Sequence, residues 1–211
     1  MNDRTARQTY SLPEAMAHLS SADPIMKQMI ATVGPYERRR PPSGFAILAR
    51  AIVNQQLSGK AAATILGRLT THLPGRRLTP PALLALSPDT LTGCGLSRNK
   101  ARFMHALAEE FASGKISTRS LASLSDDGAR ERLCRLLGIG PWTAEMFLMF
   151  CLDRPDIFPV GDAGIRRAII ESYPMRGEVT TDRLIKVSLR WRPYRSVASR
   201  FLWRSLDQAP A

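Results

Sequence analysis

A glycine-rich turn and a later aspartate are the residues whose types and spacing point to chemistry in this chain. Gly138 and Gly140 flank one isoleucine between two apolar helical runs, and Pro141 follows where the next helix would begin. Glycines permit positive φ and close backbone approach, and the amides of a helix start can bind a phosphate. The turn therefore predicts an anion-binding hairpin, although an ordinary turn between helices would show the same glycines.

Asp162 follows the turn by about twenty residues and has two interpretations. It precedes a helical pattern that runs through Ile165 and Ile169, so it can be the N-cap of that helix. A carboxylate in a water-poor site can also stabilise developing positive charge or orient and deprotonate an attacking water. Both roles can coexist, because a cap fixes the direction of the carboxylate.

The elements that must position these residues are helical. Apolar residues recur at helical spacing along most of the chain, and no segment keeps the alternation of a strand. Two helices meet at a polar knuckle formed by residues 54–57, and the serine that follows caps the second helix. A helix over residues 126–137, with Leu133, Leu136 and Leu137 directed inward, leads into the glycine turn. We predict an all-α fold.

The composition favours a nucleic-acid partner. The chain has 30 Lys and Arg against 18 Asp and Glu, giving a formal charge of +12 and a pI near 10.6. Such a surplus favours DNA or RNA before an anionic membrane, although it can also serve solubility alone. The cysteines and histidines are isolated, and no apolar run approaches the length of a membrane span. We expect a soluble, intracellular protein without a disulfide framework or zinc site.

Four stretches carry a resemblance to a known family. Read in chain order, they are N-Q-Q-L-S (residues 54–58), L-G-I-G-P-W-T-A (137–144), F-P-V-G-D-A-G-I-R (158–166) and R-W-R-P-Y-R-S-V-A (190–198). Together they resemble the helix-hairpin-helix (HhH-GPD) superfamily of DNA glycosylases. Within it the chain is most similar to the alkylation-repair branch, 3-methyladenine DNA glycosylase II, from about residue 11 to residue 206.

The resemblance implies one all-α unit over residues 1–211, with two helical lobes and a cleft that receives a flipped nucleotide. Lobe A is expected at about 1–50 plus 152–211, and lobe B at about 51–151. The helix-hairpin-helix is expected at about 129–151. We do not expect the N-terminal β-rich domain of a bacterial relative, because about forty residues precede this core.

The resemblance also assigns roles. Asp162 takes the position of the catalytic aspartate, and Trp142 stands where bifunctional members carry a Schiff-base lysine, so a monofunctional enzyme without lyase activity is implied. Trp142, Met146 and Trp203 are implied to line the substrate pocket, where tryptophan faces can stack on a cationic base. Both tryptophans are equally typical of core residues. Met146 replaces a tyrosine of the relative, which leaves the substrate range open.

The DNA contacts implied by the family lie at the hairpin, the knuckle and the last helix. Gly138 and Gly140 hold a phosphate through their amides. One knuckle side chain fills the gap left by the flipped base, or the knuckle is only a polar turn. The residues expected to contact DNA are Gly138, Gly140, Thr143, Gln55, Gln56, Leu57 and Arg195. Arg192 and Lys100 are further phosphate candidates, and a solvated face is the alternative for each cation. A Na⁺ or K⁺ ion is expected at the carbonyls of Leu137 and Ile139.

The resulting prediction is a base-excision repair glycosylase that removes 3-methyladenine or 7-methylguanine by Asp162-assisted attack of water. The alternatives are the same fold acting on ethenoadenine, hypoxanthine or uracil, or a non-catalytic DNA clamp. No cofactor is required and no iron–sulfur cluster is expected. The expected partner is double-stranded DNA with damaged bases, bound by a monomer. The expected location is the bacterial cytoplasm with its nucleoid, or a eukaryotic nucleus.

Overall fold

The computed structural model describes residues 10–37, 43–175 and 177–207. Within these ranges there are 13 α-helices, two short 3-10 helices and no strand, which confirms the all-α class. None of the helices described is long and apolar enough to cross a membrane. The α-helices in chain order are α1 Leu12–Ala22, α2 Pro24–Val33, α3 Gly44–Asn54, α4 Gly59–Thr71, α5 Pro80–Leu84, α6 Pro88–Gly93, α7 Arg98–Ala112, α8 Thr118–Ala122, α9 Asp126–Cys134, α10 Pro141–Phe150, α11 Ala163–Ser172, α12 Thr181–Ser188 and α13 Arg195–Asp207. The 3-10 helices are Pro74–Arg76 and Leu189–Trp191.

Polar caps set where the helices begin. Ser58 precedes α4 and Ser97 precedes α7, and each hydroxyl accepts the backbone N–H of the third residue after it. Asp162 caps α11 in the same manner, so its predicted capping role is confirmed. Each such cap satisfies one of the amides that a helix start leaves unpaired.

The end of α9 differs from the sequence prediction. The helix stops at Cys134, and the Ile139 amide then donates to the Leu136 carbonyl at 3.1 Å as the chain tightens into the turn. Leu133 and Leu136 are buried as predicted, but Leu137 is 46% exposed. The inward direction predicted for Leu137 was therefore wrong, because the residue lies on the turn and no longer follows the helical period.

The chain packs as two compact units. The described part of the first unit is residues 43–147, which hold α3 to α9 and most of α10. In this unit α7 packs against α3 and α5, and its core includes the fully buried Leu48, Ile52 and Met104. The first unit thus contains both the knuckle and the hairpin. The lobe limits expected near residues 50 and 151 stay predictions.

The second unit comprises residues 10–37 and 148–207 among those described. Its last helix, α13, packs against α2 and α11, around a core that includes Ile165 and Phe201. Burial of each such side chain contributes about 1.5–3 kcal/mol. Helix α13 is thereby fixed beside α11, the helix that Asp162 begins.

A buried carboxylate ties the two ends of this second unit together. Asp23 is fully buried and accepts the Tyr173 hydroxyl and the Trp191 indole N–H, each at 2.8 Å. Burial first, and then the hydrogen bond to this carboxylate, raise the pKa of Tyr173. Buried polar groups that are paired in this manner stabilise one arrangement of the helices. Tyr173 follows α11 directly, so the contact fixes the end of α11 opposite to Asp162.

Candidate functional site

Asp162 is held by two N–H donors. Its Oδ1 accepts the Ile165 amide at 2.9 Å and the Trp203 indole N–H at 2.8 Å. The first bond belongs to α11 itself, and the second comes from α13. Hydrogen bonds to a charged group are shorter and stronger than neutral ones. The side chain is half-buried, so a directed carboxylate is presented where a reacting group can approach it.

Trp203 is itself positioned by aromatic packing. The ring of Phe150 stacks on it with centroids 5.8 Å apart and an interplanar angle of 27°. The guanidinium carbon of Arg200 lies 4.5 Å from the Phe150 centroid. Trp203 is half-buried, and stacking together with the indole hydrogen bond leaves it little freedom to turn. Whether it also lines the substrate pocket, as the resemblance implies, stays a prediction.

Gly164 makes room for the contact between Asp162 and Trp203. A Cβ atom at this position would lie 3.1 Å from Asp162 Oδ1, 3.1 Å from Trp203 Cδ1 and 3.3 Å from Trp203 Nε1. Such distances are tighter than ordinary van der Waals contacts. A side chain at this glycine of the D-A-G-I stretch would therefore crowd the contact between Asp162 and Trp203.

In the hairpin between α9 and α10, Gly138 has the positive φ and the close approach expected of its glycines, and Gly140 has neither. Gly138 has a φ of +81°, which favours glycine, and a Cβ there would overlap the ring of Phe103, with Cγ at 2.6 Å. Gly140 has open space around its Cβ position, and Pro141 begins α10. Backbone amides near a helix start are suited to an anion such as a phosphate.

Other predicted residues near the hairpin differ in exposure. Trp142 is 43% exposed, and Met146 is half-buried. Thr143 is only 4% exposed, so most of its surface is packed within the protein. In the knuckle, Gln56 is exposed and Leu57 is 39% exposed. Trp142, Gln56 and Leu57 are thus presented at the surface of the first unit.

A cavity of about 550 Å³ lies beside the knuckle, within the first unit. Amide side chains and aromatic rings dominate its lining, and Lys100 is the cationic residue among them. Its lining includes Asn54, Gln55, Gln56, Asn99, Phe103 and Trp142. The structure therefore brings Gln55 and Gln56 of the knuckle together with Trp142 around one space, and Leu57 does not line it.

The three cations predicted to contact phosphates are all bonded to the protein, Arg192 through its Nε to Asp156 Oδ2 at 3.1 Å. The Arg195 guanidinium is bidentate on the Asp156 carboxylate, with Nε at 2.7 Å from Oδ1 and Nη2 at 2.9 Å from Oδ2. The Lys100 ammonium donates to the carbonyls of Val53 at 2.8 Å and Gln55 at 2.6 Å. Burial lowers the pKa of Lys100. Arg195 and Lys100 hold elements together in this structure, and contact of the three cations with DNA stays a prediction.

One carbonyl in the hairpin, where the monovalent cation is expected, is hydrogen-bonded within the protein. The Gly138 carbonyl, which lies between those of Leu137 and Ile139 along the chain, accepts the Gln55 side-chain amide at 2.8 Å. The cation expected at the Leu137 and Ile139 carbonyls stays a prediction. No group of three or more His, Cys, Asp and Glu side chains that could hold a metal occurs in the described residues.

Four residues at these sites were not identified from the sequence. Phe150 and Phe103 lie in apolar helical runs, where nothing distinguishes a residue that supports a site from one that fills the core. Asp156 carries no local signal for its pairing with an arginine 39 residues later. Gly164, two residues after a candidate aspartate at a helix start, is the one of the four that closer inspection of the sequence could have identified.

Comparison with known proteins gives a consistent result. Residues 49–193 match the family model described as HhH-GPD superfamily base excision DNA repair protein. The chain is 33% identical over 203 residues to DNA-3-methyladenine glycosylase 1 of Schizosaccharomyces pombe, which covers 92% of this chain and 88% of the relative. It is similar to the structure of S. pombe 3-methyladenine DNA glycosylase (Mag1) in complex with abasic DNA, with a TM-score of 0.82, 30% identity and coverage of 92% and 97%. A DNA-3-methyladenine glycosidase from Bacillus halodurans gives a TM-score of 0.81 and 33% identity, with coverage of 90% and 88%.

Proposed function

The chain belongs to the HhH-GPD superfamily of base excision DNA repair proteins, and we propose that it is a monofunctional glycosylase that releases alkylated purines from DNA. The observation that carries the proposal is the Asp162 carboxylate, directed by the Ile165 amide and the Trp203 indole. The names of the S. pombe and B. halodurans relatives support 3-methyladenine as a substrate, with 7-methylguanine as a second base of the same chemistry.

The proposed reaction needs one carboxylate. Cleavage of the bond between C1′ and the base nitrogen builds positive charge on the deoxyribose, which Asp162 stabilises. The bonding electron pair leaves with the alkylated base and neutralises its cationic ring, so no general acid has to protonate the base. Water bonds to C1′, and its proton passes to Asp162 or to solvent.

The contacts that we propose for the hairpin and the knuckle are on the first unit. The backbone at Gly138 and Gly140 binds a phosphate beside the start of α10, while exposed knuckle side chains occupy the gap that a flipped nucleotide leaves. Base flipping costs a few kcal/mol, which such contacts offset. The exposed surfaces of Gln56, Leu57 and Trp142 support this proposal.

Trp142 supports hydrolysis without strand cleavage. An indole has no amine that could form a Schiff base with the sugar, so attack falls to water. Duplex DNA treated with the enzyme should therefore keep its strands intact until alkali is added. Strand breaks that appear without alkali would contradict the monofunctional assignment.

The central test is the Asp162→Asn variant. Asparagine is also a good N-cap, so α11 should begin normally while the negative charge is lost. We expect release of 3-methyladenine and 7-methylguanine from methylated duplex DNA to fall by roughly a hundredfold or more, with DNA binding retained. Asp182→Asn, in the first turn of α12, removes a similar charge and should leave release unchanged. Full activity of Asp162→Asn would eliminate the catalytic role.

A panel of lesions tests the alternatives. Met146 is half-buried where the resemblance places a tyrosine, so a different lesion such as ethenoadenine, hypoxanthine or uracil is the second candidate substrate. Salt-sensitive binding without any base release would instead indicate a DNA clamp, since phosphate contacts dominate affinity in both cases. The monomeric state and the cellular location stay predictions.

A further inference from the structure

The knuckle between α3 and α4 contains a strained residue. Gln56 has a φ of +55°, in the left-handed region that side chains other than glycine rarely adopt. Strain of this kind persists only where the surrounding structure fixes it, and it is concentrated at functional positions. Gln56 is also exposed and lines the cavity beside the knuckle.

The peptide groups on both sides of Gln56 are fixed by hydrogen bonds. The carbonyl of Gln55, which belongs to the preceding peptide group, accepts the Lys100 ammonium at 2.6 Å. The amide of Leu57, in the following peptide group, donates to the Asn54 carbonyl at 3.2 Å. Because φ and ψ of Gln56 relate these two groups, fixing both holds the residue in its strained conformation.

Lys100 makes this contact from another helix. It lies in the first turn of α7, and its ammonium also donates to the Val53 carbonyl at 2.8 Å in the last turn of α3. A cation at a helix C-terminus pairs with carbonyls that have no partner within the helix and with the negative end of the helix dipole. The ammonium thus holds the end of α3 and the knuckle at the same time.

The knuckle is also bonded to the hairpin. The side-chain amide of Gln55 donates to the Gly138 carbonyl at 2.8 Å, and the ring of Phe103, one turn after Lys100 in α7, packs against Gly138. The Gln55 side chain is therefore occupied within the protein. Among the two glutamines of the knuckle, Gln56 is the one presented outward.

We propose that Lys100 is a positioning residue. Its contacts with the end of α3 and with the Gln55 carbonyl hold Gln56 in the conformation in which its side chain can fill the gap left by a flipped nucleotide. The inference rests on the proposed glycosylase function. In this inference Lys100 acts by holding the conformation of Gln56 and not by binding a DNA phosphate. The knuckle and hairpin then act as one bonded surface, and the conformation of Gln56 exists before DNA arrives.

The test compares Lys100→Met, which keeps the length of the side chain and loses its charge and donors, with wild type. Flipping is followed by the fluorescence of 2-aminopurine placed beside 7-methylguanine in a duplex, and base release is followed at saturating enzyme. We expect both flipping and the rate of release to fall roughly fivefold, since relief of the strain at the lower end of its usual range corresponds to a factor of about five. Lys100→Arg, which keeps a cation and donors, should restore most of the signal.

A second substrate separates positioning from general damage to the protein. When an abasic analogue lies opposite the lesion, no base pair has to be broken for the lesion to flip. The loss of flipping and of base release in Lys100→Met, relative to wild type, should therefore be smaller on this substrate. The matched control is Lys115→Met, which removes an exposed lysine paired at 3.7 Å with Glu110 in the same unit and should behave as wild type. Equal deficits on both substrates, or none on either, would overturn the inference.

The double variant with Gln56→Gly tests the inference even if Lys100→Met lowers the stability of the protein. Glycine adopts positive φ without strain, so in that background Lys100→Met should have little further effect on flipping. An additive loss would show that Lys100 acts by another route. A wild-type protein that flips the nucleotide but releases no base would contradict the proposed function and leave the flipping comparison intact.

Discussion

Replacement of Gly164 by alanine adds one methyl group beside the proposed catalytic carboxylate. The new Cβ would lie 3.1 Å from Asp162 Oδ1 and 3.3 Å from Trp203 Nε1, so at least one of these atoms has to move by a few tenths of an ångström. The bond between Asp162 and Trp203 is 2.8 Å long and passes directly beside the added group. We expect it to lengthen or break.

The size of the effect follows from this bond. A hydrogen bond to a charged group contributes about 1.5–3 kcal/mol, and loss of about half of it corresponds to a rate lower by roughly fourfold to thirteenfold. The weakened bond also costs stability, and this cost is offset by the preference of alanine over glycine in a helix, which is about 0.8–1.0 kcal/mol in a helix interior. Gly164→Ala should therefore be a slower enzyme with a nearly unchanged melting temperature.

The assay is release of 7-methylguanine from duplex DNA under single-turnover conditions, together with thermal unfolding. Gly161→Ala is the matched control, since it adds the same methyl group near Asp162 where nothing lies within 4 Å of the Cβ position. We expect this control to keep the wild-type rate. If both alanine variants lose activity equally, the turn is sensitive in general and the specific contact is not responsible.

Trp203→Phe supplies the second arm of the experiment. Phenylalanine can still stack on Phe150 but has no N–H to donate to Asp162. The two substitutions act through one hydrogen bond, so the double variant with Gly164→Ala should be little slower than either single variant. A wild-type rate in Gly164→Ala, or fully additive losses in the double variant, would refute the reasoning.

Two further outcomes are expected. Gly138→Ala should lose about 1–3 kcal/mol of stability in urea unfolding, because its φ is +81° and the methyl group would overlap Phe103. Fluorescence anisotropy should also show weaker DNA binding by this variant. Gly140→Ala should fold as wild type, since nothing lies within 4 Å of its Cβ position. Arg195→Met should lose about 1–3 kcal/mol of stability by breaking the bidentate pair with Asp156. Loss of the predicted contact of Arg195 with a phosphate would in addition reduce the slope of log K against log salt by about 0.9, and an unchanged slope would contradict that contact.

The features that the sequence predicted correctly are local ones. The caps by Ser58 and Asp162 and the positive φ of Gly138 depend on residues within one or two turns of the chain. Hydrophobic periodicity then identified the helical class, because a buried helix face repeats every three to four residues. The same reasoning failed at Leu137, where turn geometry interrupts the period after α9.

The sequence by itself thus determined the helical class, the hairpin and the aspartate at the start of α11. Only the tertiary structure decided which side chains support them. The donor to Asp162 lies 41 residues away in Trp203, the partner of Arg195 lies 39 residues away, and Gln55 bonds to a hairpin carbonyl 83 residues later. Such pairs depend on which helix faces pack together, and no local pattern records the direction of a side chain across that packing.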